Sequence, residues 1–243
     1  PALTMATVES FRSAVASSPV RYLCAHASYL INLASPDTGI REKSVAALIM
    51  EVERADLLGC DCVVLHPGSP KTDGVDAGLE RIALGLSEAL AATAQCRTRI
   101  ALENTAGQGN TIGHQIAQIG ELLDRCDRAA RLVFCLDTCH AFAAGYAFDS
   151  DKAVNRIARE VAQSVGKERL AVLHLNDTKT QCGGRTDRHA HIGEGSIGRR
   201  GFAHLLNHPA FAAVPGIIET PKENDAMVND RRNLTVLREL DTA

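Results

Sequence analysis

Residues 173–198 read LHLNDTKTQCGGRTDRHAHIGEGSIG. Apolar and polar residues alternate through Leu170–Asn176, which predicts a strand with His174 near its end. A glycine-bearing loop, Gln181–Gly184, follows, and then Asp187 and His189 two residues apart. Imidazoles and carboxylates gathered at one strand end suit a borderline cation such as zinc. A loop of this length is uncommon between elements unless it has a function.

Five more segments read as strands: Arg21–His26, Cys62–His66, Arg99–Glu103, Leu132–Asp137 and Gly216–Glu219. Between them the 3.6-residue period predicts helices over Pro1–Val15, Glu42–Leu58 (stopped by Gly59), Ala77–Ala94, Ile112–Leu123 and Ala153–Val165. Thr138–Tyr146 follows the fourth strand. A short helix is expected around Phe202–Leu206, and a closing one carries Val228, Leu234 and Leu237, capped by Asn224 or Asp225. Six alternations of strand and helix predict an α/β fold with a parallel sheet covered by helices. No repeat or linker interrupts residues 1–243, so one β/α barrel domain is expected.

Of the 243 residues 45% are apolar, enough for a sizeable core. No apolar run approaches the ~18 residues of a membrane span, no leader-like segment opens the chain, and a cytoplasmic protein with no membrane partner is the expectation. The eight cysteines lack a disulfide-framework spacing, and Cys24, Cys62 and Cys135 read as buried thiols. A net charge of −3 excludes a broad basic face, so any polyanion site must be local.

Each of the six strands ends in a residue able to hold a metal: His26, His66, Glu103, Asp137, His174 and Glu219. Functional groups of parallel α/β folds collect at that end of the strands. His140 follows Asp137 by one helical turn, and Asp187 and His189 add two more groups. Nine groups exceed one ion's needs and suit two or three ions with a bridging carboxylate. Three divalent ions against the four carboxylates leave an excess of about +2 at the mouth, before Lys179, Arg185, Arg188, Arg199 and Arg200 are counted, which suits phosphate.

At this point the residues resemble a known family. HASYLINLASP at 26–36, LHPGS at 65–69, LENTAGQG at 102–109, LDTCHAFAAGY at 136–146, HLND at 174–177, DRHAHIGEGSIG at 187–198 and IIETP at 217–221 are similar to endonuclease IV, the zinc-dependent abasic-site endonucleases of base-excision repair. The resemblance implies a xylose-isomerase-like TIM-type barrel, incomplete at its N-terminus, with six of eight strands. It implies three zinc ions, manganese being an alternative at one position. His26, His66 and Glu103 would hold the first, Glu103, Asp137, His174 and Glu219 the second, and His140, Asp187 and His189 the third. Glu103 and Glu219 are then the catalytic carboxylates. The implied substrate is double-stranded DNA with abasic or 3′-blocked lesions, cut 5′ to the abasic site, with Tyr29, Leu30 and Arg188 contacting DNA.

The loop Ser28–Asp37 is unusually apolar, and two expectations compete for it: packing of Tyr29, Leu30, Ile31 and Leu33 on the barrel, or a wedge of Tyr29 and Leu30 in the DNA. A sugar isomerase or epimerase of the related barrel is an alternative function, and a catalytically weak lesion binder another. With six strands, a gap is expected between Arg21–His26 and Gly216–Glu219, closed by the two strands meeting, by helix Pro1–Val15 folding over it, or by a homodimer through the open edge, which is slightly favoured.

Overall fold

Short, continuous apolar strands are buried on both faces only when helices cover them, and the computed structural model has that pattern. It describes residues 3–223 and 225–242. By its contacts the chain divides into two units, Pro1–Leu102 with Leu122–Val133, and Glu103–Glu121 with Phe134–Ala243.

In the first unit, α1 (Met5–Ala16) starts behind Thr4, whose hydroxyl accepts the Thr7 N–H. It begins later than the sequence pattern predicts, because that cap selects the first turn; the expected start at Pro1 lies outside the described residues. β1 is Cys24–His26 and β2 Cys62–Leu65, both shorter than expected, and β3 is Arg99–Glu103 as predicted. β1 pairs with β2 and β2 with β3, all parallel, with Cys24 opposite Cys62 and Leu65 opposite Leu102. Between them lie α2 (Thr38–Leu58) and α3 (Val75–Ala92). α2 starts four residues before Glu42, because the Asp37 carboxylate accepts the Ile40 N–H and caps it. Gly59 ends it at φ 81°, a left-handed conformation that glycine takes without strain. Leu48, Val52, Val63, Val64, Ile82 and Leu86 are fully buried and form this unit's core.

The second unit repeats the theme. α4 (Ile116–Arg125), whose start lies in this unit, begins four residues later than predicted, because Gln118 Oε1 accepts the Gly113 N–H and holds 113–115 as a turn. β4 is Leu132–Asp137 and leads straight into α5 (Thr138–Ala144). α6 (Asp151–Glu160) passes into a π turn over Val161–Val165, and β5 is Leu170–His174. Two short strands that the sequence pattern did not predict, β6 (Asp177–Thr178) and β7 (His189–Ala190), pair antiparallel and close the long loop at its base. α7 (Gly198–Leu206), β8 (Gly216–Ile217) and α8 (Ala226–Leu240) complete the unit. Asp225 caps α8, its carboxylate accepting from Met227 N and Val228 N; the alternative cap, Asn224, lies outside the described residues. β4 pairs with β5 and β5 with β8, again parallel. Phe134, Phe148 and Phe202 are buried here, each worth about 3–5 kcal/mol against truncation to alanine.

Among the described residues no helix is long and apolar enough to cross a membrane. Among the described residues no cysteine is in a disulfide.

Candidate metal centre

Asp137 has two local roles. It ends β4, and its Oδ1 accepts the His140 N–H at 2.7 Å as the cap of α5. A helix cap three residues ahead of an imidazole therefore sets both side chains on one side without help from distant chain. His140 donates from Nδ1 to the Asn104 carbonyl at 3.0 Å, since a carbonyl can only accept. That assigns the tautomer and turns Nε2 toward Asp187, whose Oδ2 is 3.1 Å away.

His189 is held in the same way. The β6–β7 pairing carries it inward, and its Nδ1 donates to the Glu219 carbonyl at 3.0 Å. Its Nε2 is buried and makes no well-formed hydrogen bond, although Asp187 Oδ1 lies 3.2 Å off as an ion-pair partner. A buried ring nitrogen beside a carboxylate, with the other ring nitrogen pinned by a carbonyl, is the arrangement of a metal-ligating histidine. The ligand atoms of His140, Asp187 and His189 all lie within 4.8 Å of one another.

The second cluster is deeper. Glu103 and Asp137 are fully buried, and His174 is 2% exposed. His174 Nδ1 lies 2.9 Å from Glu103 Oε1 and 3.1 Å from Glu219 Oε2. The ligand atoms of Glu103, Asp137, His174 and Glu219 again fall within 4.8 Å of one another. Cys135 with Glu103 and His174, and Cys139 with Asp137 and His189, are further groupings of that size. In the first unit His26, ending β1, and His66, just after β2, meet edge-on with ring centroids 5.3 Å apart. His26 donates from Nδ1 to the Ala27 carbonyl at 2.9 Å, which puts Nε2 on the opposite side of the ring.

The charges show what the clusters demand. Burial opposes the charge on His140, but Asp137, Asp187 and Glu103 outweigh it and hold the imidazole well above its usual range. Burial likewise opposes the charge on His189, yet Asp187 leads the groups that raise it to about 11. Burial disfavours the Asp187 carboxylate too, and His140 and His189 still hold it far below the usual carboxylate range. His174 is raised well above its usual range against burial, beside Cys135 and Glu103. Burial pushes the Cys135 thiol up to about 12 and keeps it neutral, so the charge that matters to His174 is Glu103. Carboxylates buried at this depth need cations. Protons on the histidines meet that need in part, and the nitrogen–oxygen donor set fits a divalent ion such as zinc.

Sequence reasoning did not single out the residues that hold these groups in place. Asn176, fully buried, donates from Nδ2 to Asp137 Oδ2 at 2.6 Å and accepts the Glu219 N–H at 2.7 Å. Asn104 accepts the Asp137 N–H at 2.8 Å and donates back to its carbonyl at 3.0 Å. Asp177 accepts N–H groups from Thr178, Gly193, Gly195, Ile197 and Gly198 and so winds the GEGSIG turn about itself. A Cβ on Gly195 would stand 2.4 Å from Asp177 Oδ1, so only glycine fits there. Amides do not ligate zinc and a buried Asp reads as a capping residue, so ligand chemistry gave no signal for them. They lay only inside the quoted LENT and HLND motifs.

Arg188 is exposed and donates to the Asp187 carbonyl at 2.7 Å. His191 takes a hydrogen bond from Asn233 at 3.1 Å and lies 3.6 Å from Glu223. The apolar loop divides between its two expectations. Ile31 and Leu33 are buried, whereas Tyr29 is 88% and Leu30 72% exposed. Asn32 fixes the loop, donating to the Ser69 carbonyl at 3.0 Å and accepting the Ser69 N–H at 2.9 Å.

The sequence matches the family of xylose isomerase-like TIM barrels over residues 1–240, which defines the class of fold. A probable endonuclease 4 of Nitratidesulfovibrio vulgaris is 44% identical over 237 residues, 97% of this chain and 83% of that protein. Another, from Chloroflexus aggregans, is 45% identical over 215 residues, 88% of this chain and 75% of its own. Endonuclease IV from Thermus thermophilus shares the structure with a TM-score of 0.84 at 36% identity, over 99% of this chain and 83% of that one. A D-tagatose 3-epimerase-like protein, at 21% identity and a TM-score of 0.73, shares the fold alone. The chain belongs to the endonuclease IV family.

Proposed function

We propose that this chain is a DNA-repair endonuclease, a hydrolase that cuts the phosphodiester 5′ to abasic sites and trims 3′-blocking groups. The observation that carries this reading is the pair of fully buried carboxylates, Glu103 and Asp137, in a cluster with His174, beside His140 and His189 whose Nδ1 atoms are tied to carbonyls. Three ions would be held as the family resemblance assigns them: by His26, His66 and Glu103; by Glu103, Asp137, His174 and Glu219; and by His140, Asp187 and His189. Glu103 would be shared by the first two sets. Zinc bound there supplies Lewis acidity toward a phosphate oxygen and water of lowered pKa.

The chain's own residues orient and restrain. Asn176 keeps the Asp137 carboxylate aimed by donating to Oδ2, and the Asn104 and Glu219 carbonyls hold the His140 and His189 rings from behind. Glu219, with its side chain about a third exposed, is the catalytic carboxylate that reaches the solvent side. Tyr29 and Leu30, exposed on a loop pinned by Asn32, are the wedge for the gap left by a missing base, and the exposed Arg188 is the residue proposed to meet a phosphate. The reading also places residues 1–243 in one barrel domain working in the cytoplasm.

The test is metal analysis of the purified protein beside cleavage of an abasic duplex and an intact control. About three zinc per chain with cleavage of the abasic strand alone supports the proposal. One ion or fewer after metal-replete purification, or equal cutting of both duplexes, overturns it.

A further inference from the structure

Four residues of the first unit, Tyr22, Cys24, Cys62 and Arg99, form a cluster that the proposed chemistry does not use. Cys24 and Cys62 are direct register partners of the parallel β1–β2 pair. Strands so paired lie about 4.8 Å apart, inside the roughly 4.4–6.8 Å between Cα atoms that a disulfide needs. The two Sγ atoms are 3.1 Å apart, about 1 Å beyond a disulfide's bond length. The Tyr22 hydroxyl donates to Cys62 Sγ at 3.6 Å, and Arg99 Nη2 donates to that hydroxyl at 3.2 Å. Burial, with Cys62 second, raises the Tyr22 phenol far above its usual range, so it stays a donor. Cys24 is half-buried, whereas Cys62 is inaccessible.

We propose that Cys24 and Cys62 are a peroxide-oxidisable dithiol whose disulfide ties β1 to β2. The sulfur of Cys24, the more accessible residue of the two, attacks a peroxide oxygen: an S–O bond forms, the O–O bond breaks, and water leaves once the thiol proton is transferred. Cys62 sulfur then attacks Cys24 sulfur, the S–S bond forms, the S–O bond breaks, and a second water carries away the Cys62 proton. Two thiols are oxidised and one peroxide is reduced to two waters. The Arg99–Tyr22 hydrogen bonds stabilise negative charge on Cys62 sulfur as it attacks. Cys24 and Cys62 lie on the strands that lead to His26 and His66, so the bond would brace that end of the first unit.

The experiment treats the fully reduced chain with hydrogen peroxide and follows intact mass, alkylation and non-reducing peptide maps. We expect the loss of two hydrogens, one cross-linked peptide pair joining Cys24 to Cys62, reversal by dithiothreitol, and a raised Tm. Cys24→Ser should abolish the link, with folding checked by circular dichroism. Tyr22→Phe should still form it, several-fold more slowly. Cys24 and Cys62 remaining fully alkylatable while exposed Cys182 or neighbouring Cys60 is oxidised would overturn the proposal. An unchanged rate in Tyr22→Phe would overturn the role given to the hydroxyl. Should Cys24→Ser fail to fold, the wild-type peptide map decides alone.

Discussion

Replacing Asp177 with alanine removes the acceptor for five backbone N–H groups at once, those of Thr178, Gly193, Gly195, Ile197 and Gly198, at 2.8–3.2 Å. The donors do not all lose equally. Gly193, Gly195 and Gly198 are half-buried and regain water, so they cost little. Thr178 and Ile197 are buried, and an orphaned buried donor costs about 1–3 kcal/mol. The expected loss is therefore about 2–6 kcal/mol, a large share of a typical domain's stability. At about 2–4 °C per kcal/mol for a chain of this size, a central loss of about 4 kcal/mol lowers Tm by roughly 8–16 °C. Urea unfolding measures the global term. Hydrogen exchange localises it: the amides of Gly193, Gly195, Ile197 and Gly198 should exchange faster, while those of β4 and β5 change less. Asp177→Asn, which keeps one acceptor oxygen, should fall between. A loss under about 1 kcal/mol with those amides still protected would refute the claim that this carboxylate organises the turn.

Three other outcomes follow from the site. Tyr29→Ala should weaken abasic-duplex binding by about 1–3 kcal/mol, roughly 5- to 150-fold in Kd, yet leave Tm unchanged because the ring is 88% exposed; a lowered Tm at unchanged affinity would favour packing instead. Glu103→Gln should lower bound metal and cleavage together, and near-normal activity would remove its bridging role. In metal-stripped protein, the raised histidine pKa values add stability that is complete below their unfolded value, near 6.5, and is lost as pH rises toward about 11 for His189. Asp187, held low, adds stability above the usual carboxylate range that is lost on acidification through and below it. Stripped protein should thus melt highest between about pH 4 and 6.5, and zinc added at pH 7 to 8 should release protons measurable by calorimetry in buffers of different ionisation enthalpy. A stripped protein equally stable at pH 6 and 9 would count against the charge pairing.

What the sequence determined was local. Hydrophobic periods of two and 3.6 residues placed the strands and helices, since a strand's faces and a helix's stripe are set by neighbours a few residues away. Arg99–Glu103 and Leu132–Asp137 came out with their ends correct, and Gly59 was legible as a stop. The pairing of His140 with Asp137 was legible too, because the cap and the imidazole share one helical turn. Only the tertiary structure decided the rest. Which nitrogen of His140 or His189 faces the cluster depends on carbonyls 36 and 30 residues away. The loop after β5 looked open in the sequence, yet β6–β7 pairing and the Asp177 carboxylate fold it back. Leu30 and Leu33 are identical in hydrophobicity, yet one is 72% exposed and the other buried, on a loop that the Asn32 hydrogen bonds to Ser69 hold in place. Side-chain identity names the chemistry available at a position, but a partner dozens of residues away fixes the direction in which that chemistry points.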